Sequence, residues 1–552
     1  MDLILNNERT IRRAKMRNKR WLVLILALVM LVSTACGKKT VTEDPAPADT
    51  PKDVSQEPAA PQKKDGGIFI LGIGSDPNVM NPLYAGDRVT MTINNAIFAP
   101  LYVVDEEGTH FYLAESVTPS EDYLTYTLKL KSGLKWHDGE DLTADDVIFT
   151  LNSITDEKQK ANARGSFIIA GKPVEAKKID DLTVEFILPE VSVPFMGSLG
   201  GIRPIPQHIF EGEEDLAKST KNLEPIGSGP FKFKEMKSGE KVELVRFDEY
   251  FDGKPNLESV VFRVIADPNA ANTALLNGEL SARYITTSDV DKFKADENFN
   301  VVLYKEGMLN NMVFRLTNKD LQNKDIRKAI AYGINKDEII TGVYKSSEYA
   351  EKAYSVFVPS TQFHTSDVEK YEYNVEKSKE LLKTAGVESL KLRLAYINSS
   401  KENEGFGLIM QQQLKEIGVE LELLPMERGA FYDKLLDASN TDFDLAFNGY
   451  VMGVEPNGYK PLFRAGDFNN FMGYVNGELD VAWEEGVVET DEAKRAEIYQ
   501  TIQKQLMEDM VVYPIAYPNS IVALNKKYGG IEEAKPVPIF MFRDLSKLYI
   551  ME

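Results

Sequence analysis

The sequence predicts a large mixed α/β protein that folds by burial alone. The stretch from about Gly67 to Glu552 is far too long for one small core. The chain's single cysteine, Cys36, lies ahead of it, so no disulfide staples it. Within that stretch, period-two apolar alternation recurs between segments of helical spacing, and no periodic repeat marks a solenoid or propeller.

Taken in order, the chain opens with a basic segment, Arg9, Arg12, Arg13, Lys15, Arg17, Lys19 and Arg20. An apolar run from Trp21 to Val32 follows, too short to span a bilayer comfortably. Ser33-Thr34-Ala35 then supplies the small residues a signal peptidase cleft accepts, so residues 1–35 are expected to be a secretory signal, started at Met1 or at Met16. Ala35-Cys36-Gly37 resembles the close of a bacterial lipoprotein box, with Ser33 where leucine is usual, and makes Cys36 the expected lipidation site. Residues 36–66, rich in Pro, Ala, Asp, Glu, Lys and Thr, are expected to be a disordered tether. Together these features place the protein outside the cytoplasm, held by lipid on the outer face of the cell membrane. Removing residues 1–35, with seven basic and two acidic side chains, takes the formal charge from -21 to -26. That balance disfavours nucleic acid and direct binding to anionic lipid.

Gly67 to Gly74 reads as a strand, Arg88 to Leu101 as a helix, and Tyr123 to Leu130 as a cleanly alternating strand. A turn is expected at Asp138-Gly139, then a helix capped by Thr143 with Asp145 and Asp146 in its first turn. His137 has no ligand partner at metal spacing and reads as structural. His110, His208 and His364 add no cluster, so no metal or cofactor is expected. Gly227 and Gly229 flank a turn whose reading is tight backbone geometry, because no helix start with a lysine follows to cradle phosphate. Val375, Ser378, Leu382 and Ala385 share one helical face with Gly386 as C-cap. Phe431 to Ala438 reads as a helix and Phe443 to Phe447 as a strand, while Tyr513-Pro514-Ile515 and Tyr517-Pro518 indicate an edge strand or an extended crossover. No Ser/His/Asp spacing, zinc helix or Gly-x-Ser-x-Gly elbow is present, so no catalytic residue is assigned and the protein is read as a non-enzyme.

The segment from Tyr126 through Trp136-His137-Asp138-Gly139 to Leu151, preceded by Leu113-Ala114-Glu115-Ser116, resembles the hallmark of the extracellular solute-binding proteins of the peptide and nickel class, family 5, which serve ABC importers. Pro225-Ile226-Gly227-Ser228-Gly229-Pro230-Phe231, Tyr250-Phe251-Asp252-Gly253 and Asp325-Ile326-Arg327 continue that resemblance. It implies a two-lobed periplasmic-binding-protein-like α/β fold with a hinge between the lobes. Lobe one would comprise residues 67–303 plus 523–552, with an extra subdomain at about 104–189, and lobe two residues 304–522. The function implied is capture of oligopeptides by a monomer that delivers them to an ABC permease and its ATPase subunits.

By the same resemblance, Asp87 and Arg88 face the cleft from lobe one, and Phe431, Leu435, Phe447, Gly449, Tyr450, Val451 and Gly453 face it from lobe two. Free-amine peptide binders place an aspartate a few residues after a Gly-Trp pair. Here Gly449-Tyr450 is followed by Gly453 at that place, and Ala438 and Phe447 stand where arginines are common. Either Glu455 takes over the ligand's ammonium, or the ligand is a longer peptide whose ends are not read, or it is not a peptide. The alternatives carried forward are a nickel- or haem-type small-ligand binder and a peptide-pheromone receptor of the same fold.

Overall fold

The computed structural model describes residues 63–551. The segment expected to be a signal, Cys36 and nearly all of the expected tether lie outside the described residues.

The frame is a twelve-stranded sheet. Its N-terminal side runs Phe231–Lys237, Lys241–Arg246, Ser259–Val264, Ile68–Ile73 and Ala282–Tyr284; its other side runs Met308–Phe314, Leu445–Val451, Leu390–Ile397 and Val419–Met426. Between them lies one fourteen-residue strand, Val512–Asn525, the segment whose prolines left an edge strand and a crossover both open. It is the crossover, and it is interior. Pro514 is tolerated there because the ladder to Met308–Phe314 shifts register between Asn310 and Asn311, opposite Ala516 and Pro514, where a missing N–H donor costs least.

Phe299–Lys305 and Met308–Phe314 run antiparallel along the same crossing strand, one after the other, joined by Glu306-Gly307. Two segments therefore pass together from one half of the molecule to the other. Alternation along the crossing strand serves two cores at once: Val522 and Leu524 pack into the core containing Phe69, Trp136 and Phe262, whereas Ile521 and Ala523 pack into the core containing Phe314, Trp483 and Tyr499. Residues from Ala274 to Phe299 also pack into the second core.

A separate four-stranded antiparallel sheet, in the order Ala114–Pro119, Thr125–Leu130, Thr183–Ile187, Glu175–Asp180, sits on the first core. The helix against it, Ala144–Thr155, begins as its sequence dictates: Thr143 caps it, and Asp146 returns a hydrogen bond to the Thr143 N–H at 2.9 Å.

The helix Arg88–Ile97 ends four residues before its sequence-based limit. Pro100 disfavours helical geometry at Ala99, and the Gly227–Gly229 turn wraps the helix end. A Cβ on Gly227 would lie 2.0 Å from the Ile97 carbonyl oxygen and one on Gly229 2.5 Å from that of Ala96, so both glycines are there for close approach. His137 locks the same turn, accepting from Gly227 N–H at Nδ1 (3.2 Å) and facing the Gly229 carbonyl with Nε2 (3.0 Å). Burial pulls its pKa down to about 4, so it is the neutral tautomer that bridges the turn. The helix Val375–Thr384 buries Ser378 and Leu382 and is followed by Gly386 at φ 76°, as its pattern requires. The remaining pair shifts its limits, to Arg428–Leu436 for the helix and Leu445–Val451 for the strand.

Candidate functional site

The two halves enclose a cavity of about 500 Å³. Stretches distant in the chain build it: Asn95, the hairpin strand Tyr102–Asp105 and Arg203 from the first half, the crossing residues Tyr304, Lys305 and Gly307, the loop Val451–Val454 from the second half, and the C-terminal loop Lys535 to Asp544. Beyond the crossing strands the halves touch directly, where the Val193 N–H donates to the Val487 carbonyl (2.8 Å) in the last turn of helix Gly477–Val488. That carbonyl is one of those a helix end leaves without an internal partner.

Two charged groups define the cavity's electrostatics. Asp105 is ringed by Lys535 (2.9 Å), Arg543 (2.6 Å) and His110 (2.9 Å); burial works against its charge, but these donors hold its carboxyl well below the usual range. Asp105, Glu107 and His110 together have the compactness of a metal site. Lys535 contacts both carboxylates, so the group is an ion-pair network with its negative charge already met.

Arg203 is the opposite case. One of its terminal nitrogens donates to Asn95 Oδ1 at 2.8 Å, its guanidinium lies over the Phe540 ring at 5.4 Å, and no carboxylate among the described residues pairs with it. Burial pulls its pKa down to about 10, so it remains a cation at neutral pH. Asn95 is itself fixed by donating to the carbonyls of Phe542 and Arg543. An oriented guanidinium at a cavity wall without an anion of its own is suited to a ligand carboxylate.

Glu306 is the junction behind the cavity. Its carboxylate, 4% exposed, accepts from Arg88 Nη2 at 2.5 Å, from Ser520 Oγ on the crossing strand, and from the Ile539 N–H at 3.2 Å. Ile539 stands at φ 70°, a strained conformation for a β-branched residue. Its carbonyl accepts from Thr92 Oγ1 (3.1 Å), so hydrogen bonds at both peptide groups hold it there.

Of the residues assigned to the cleft from sequence, Val451 and Gly453 line the cavity. Asp87 is the N-cap of helix Arg88–Ile97 and receives Thr90 N–H, Thr90 Oγ1 and Asn78 Nδ2, which leaves it a structural cap. Arg88 is engaged by Glu306 and lies over the Tyr284 ring at 5.1 Å. Phe431 and Leu435 are wholly buried in a small core with Ala395, Phe443 and Ala446, because the helix carrying them packs that face on the sheet. Phe447 is buried against Phe406, and the Tyr450 hydroxyl donates to the Val356 carbonyl at 2.8 Å beneath Tyr459. Gly449 sits opposite Asn310 in the ladder, and a Cβ there would lie 2.6 Å from Met308 Cε and 2.9 Å from Asn310 Oδ1, so glycine answers to packing. Glu455 pairs through Oε1 with buried Arg495 at 2.6 Å and with the Asn457 N–H at 2.9 Å, and it is not among the residues lining the cavity.

Arg203, Tyr304 and the 535–544 loop were missed. For Arg203 a signal existed: a lone cation in the apolar run Gly201-Ile202-Arg203-Pro204-Ile205 is drawn partly out of water with its neighbours, and a half-buried charge demands a reason.

This geometry agrees with what known proteins show. Residues 110–470 match the family model described as bacterial extracellular solute-binding proteins, family 5 middle. The chain belongs to that family. It is a substrate-binding protein of an ABC transporter, with the two-lobed architecture of its family 5 relatives. It is 28% identical over 536 residues to the oligopeptide-binding protein AppA of Bacillus subtilis, covering 92% of this chain and 95% of AppA. The crystal structure of the ABC transporter substrate-binding protein CtaP from Listeria monocytogenes superposes with a TM-score of 0.87 at 47% identity, covering 89% of this chain and all of that one. AppA of Bacillus subtilis, solved in complex with a nonapeptide, superposes with a TM-score of 0.76 at 26% identity over 89% of this chain and all of AppA. Family 5 proteins of this kind are extracytoplasmic, and among the described residues no helix is long and apolar enough to cross a membrane.

Proposed function

We propose that this family 5 protein captures oligopeptides in the interlobe cavity and delivers them unchanged to a membrane permease driven by a separate ATPase. The observation that carries the reading is Arg203, a cation at the wall of an interlobe cavity with no carboxylate partner among the described residues, which suits the C-terminal carboxylate of a peptide. The ligand named for AppA, a nonapeptide, supports the same substrate class.

In this reading the lobes are residues 67–303 with 523–552 and residues 304–522, the subdomain is about 104–189, and the lobes close about the crossing segments. Acylation of Cys36 would hold the monomer at the membrane, raising its effective concentration at the permease. Because Glu455 stands outside the cavity lining and pairs with Arg495, the ammonium of the ligand is left unread in this reading, which favours peptides recognised from the carboxylate end.

Native mass spectrometry of protein purified from cells tests the proposal. A ladder of peptide masses is expected, lost on Arg203→Met with the fold intact. One small adduct or a metal mass in its place refutes it, and cleavage of added labelled peptides refutes transport without chemistry.

A further inference from the structure

Beside the interlobe cavity lies a second one of about 290 Å³, and the two share Arg203 and Phe540. Its walls are apolar, with Leu83, Met91, Ile154, Phe167 and Ile202 among them. Three uncharged polar side chains, Asn94, Ser166 and Ser198, break that lining, and of these Asn94 stands apart. Asn94 is 2% exposed, borders the cavity, and makes no hydrogen bond through either Nδ2 or Oδ1 among the described residues. The contrast with its neighbour is direct, since Asn95 uses both ends of its amide on Arg203, Phe542 and Arg543. A buried amide with neither end paired costs free energy, and native proteins keep such groups where they have a use.

Asn94 offers a donor and an acceptor side by side. Another carboxamide matches that edge with two reciprocal hydrogen bonds. A carboxylate brings acceptors alone, and an apolar group leaves both ends unmet. The apolar walls, in turn, suit an aliphatic stem.

We propose that the smaller cavity is the subsite for the last side chain of the bound peptide, and that it selects glutamine. The inference rests on the peptide reading above: with the terminal carboxylate on Arg203, the side chain of the same residue lies next to the shared wall, its stem against Leu83, Met91 and Phe167 and its carboxamide on Asn94.

Gly197 provides an independent handle. It lines the smaller cavity, and a Cβ built on it meets no atom within 4 Å, so a side chain can be placed at the cavity wall without displacing the fold.

The test is calorimetric titration of the mature protein with four pentapeptides of sequence Ala-Ala-Ala-Ala-Xaa, where Xaa is Gln, Met, Glu or Gly. The Gln peptide is expected to bind at least about tenfold tighter than the Met peptide, which matches its stem but lacks the amide. Asn94→Leu should reverse that order. Gly197→Leu should bring the Gln and Met peptides down to the level of the Gly peptide, leave the Gly peptide unchanged and keep the thermal midpoint of the parent. Equal affinity for Gln, Met and Gly on the parent protein overturns the subsite, as does a Glu preference that survives Asn94→Leu, or an equal loss for all four peptides in that variant. If the parent binds none of the four, the peptide reading itself falls and takes the subsite with it.

Discussion

Removing Arg88 separates a structural role from a binding one. The guanidinium is 41% exposed, so its own charge is cheaply returned to water, and the cost of Arg88→Ala falls on the partner it leaves behind. Glu306 is 4% exposed and keeps only the Ser520 hydroxyl and the Ile539 N–H after the substitution. A buried carboxylate that loses its charged donor is destabilised by about 1.5–3 kcal/mol, the range for hydrogen bonds to charged groups. Unfolding entropy grows with chain length, so over the roughly 490 described residues each kcal/mol moves the thermal midpoint by only about 1 °C. Chemical denaturation is therefore the better assay. Glu306→Gln removes the charge that needs Arg88, so the double variant should cost less than the sum of the singles, with a coupling of about 1 kcal/mol or more. Peptide affinity should stay at the parental value, because Arg88 is not among the residues lining the cavity. An unchanged denaturation midpoint combined with weakened peptide binding would refute the assignment and return Arg88 to the ligand.

Three further outcomes follow from other contacts. Glu455→Gln takes the carboxylate partner from Arg495, which is 5% exposed, and should lower stability by about 1–3 kcal/mol; the ratio of affinities for free-amine and N-acetylated peptides should not change, and a selective loss for the free amine would show that Glu455 reads the ammonium. Lys336, 7% exposed between the Tyr354 and Tyr513 rings, has its pKa pulled down by burial to about 7. Since the unfolded lysine titrates near 10.4, the unfolded chain holds the extra proton between about pH 7 and pH 10.4, and stability contributed at this site rises with pH across that window; Lys336→Met should abolish the rise in urea melts, and parallel profiles for parent and variant would refute it. Gly227→Ala sets a Cβ 2.0 Å from a backbone oxygen that cannot yield, so a loss of about 3 kcal/mol or more, or no soluble protein, is expected, against a thermal melt of the parent.

Local signals carried the fold a long way. Thr143 with Asp146 and the Ser378–Leu382 face are each decided within a few residues of chain, so the sequence is enough to place them; the glycines at 227 and 229 mark a tight turn locally, but the helix end they wrap lies about 130 residues earlier. The cavity is different in kind. Its walls join Asn95, Arg203, Tyr304, Gly453 and Phe540, which only the two crossing segments and the C-terminal return bring together. Family resemblance pointed to Val451 and Gly453, which line the cavity, but could not tell which side chains around them were already engaged. Glu455 shows why: whether its carboxylate is free depends on Arg495, forty residues further along, and no periodicity links the two. Phe431 and Leu435 illustrate the converse, since an apolar pair on a helix reads alike whether its face meets a ligand or a sheet.

Glu306 gives the arrangement its mechanical sense. Through Ser520 it joins the two crossing segments to each other, through Arg88 it joins them to helix Arg88–Ile97, and through the Ile539 N–H it joins them to the C-terminal loop. Asn95 on that helix orients Arg203 and also holds the C-terminal loop at Phe542 and Arg543, so the helix, the cation and the loop share one set of hydrogen bonds. Gly307, directly after Glu306, stands at φ 65°, open to glycine at low cost, whereas the wall carrying Arg203 is tied together by these hydrogen bonds. A guanidinium kept rigid in this way loses little freedom when a carboxylate arrives, and less of the binding free energy is lost to ordering the site.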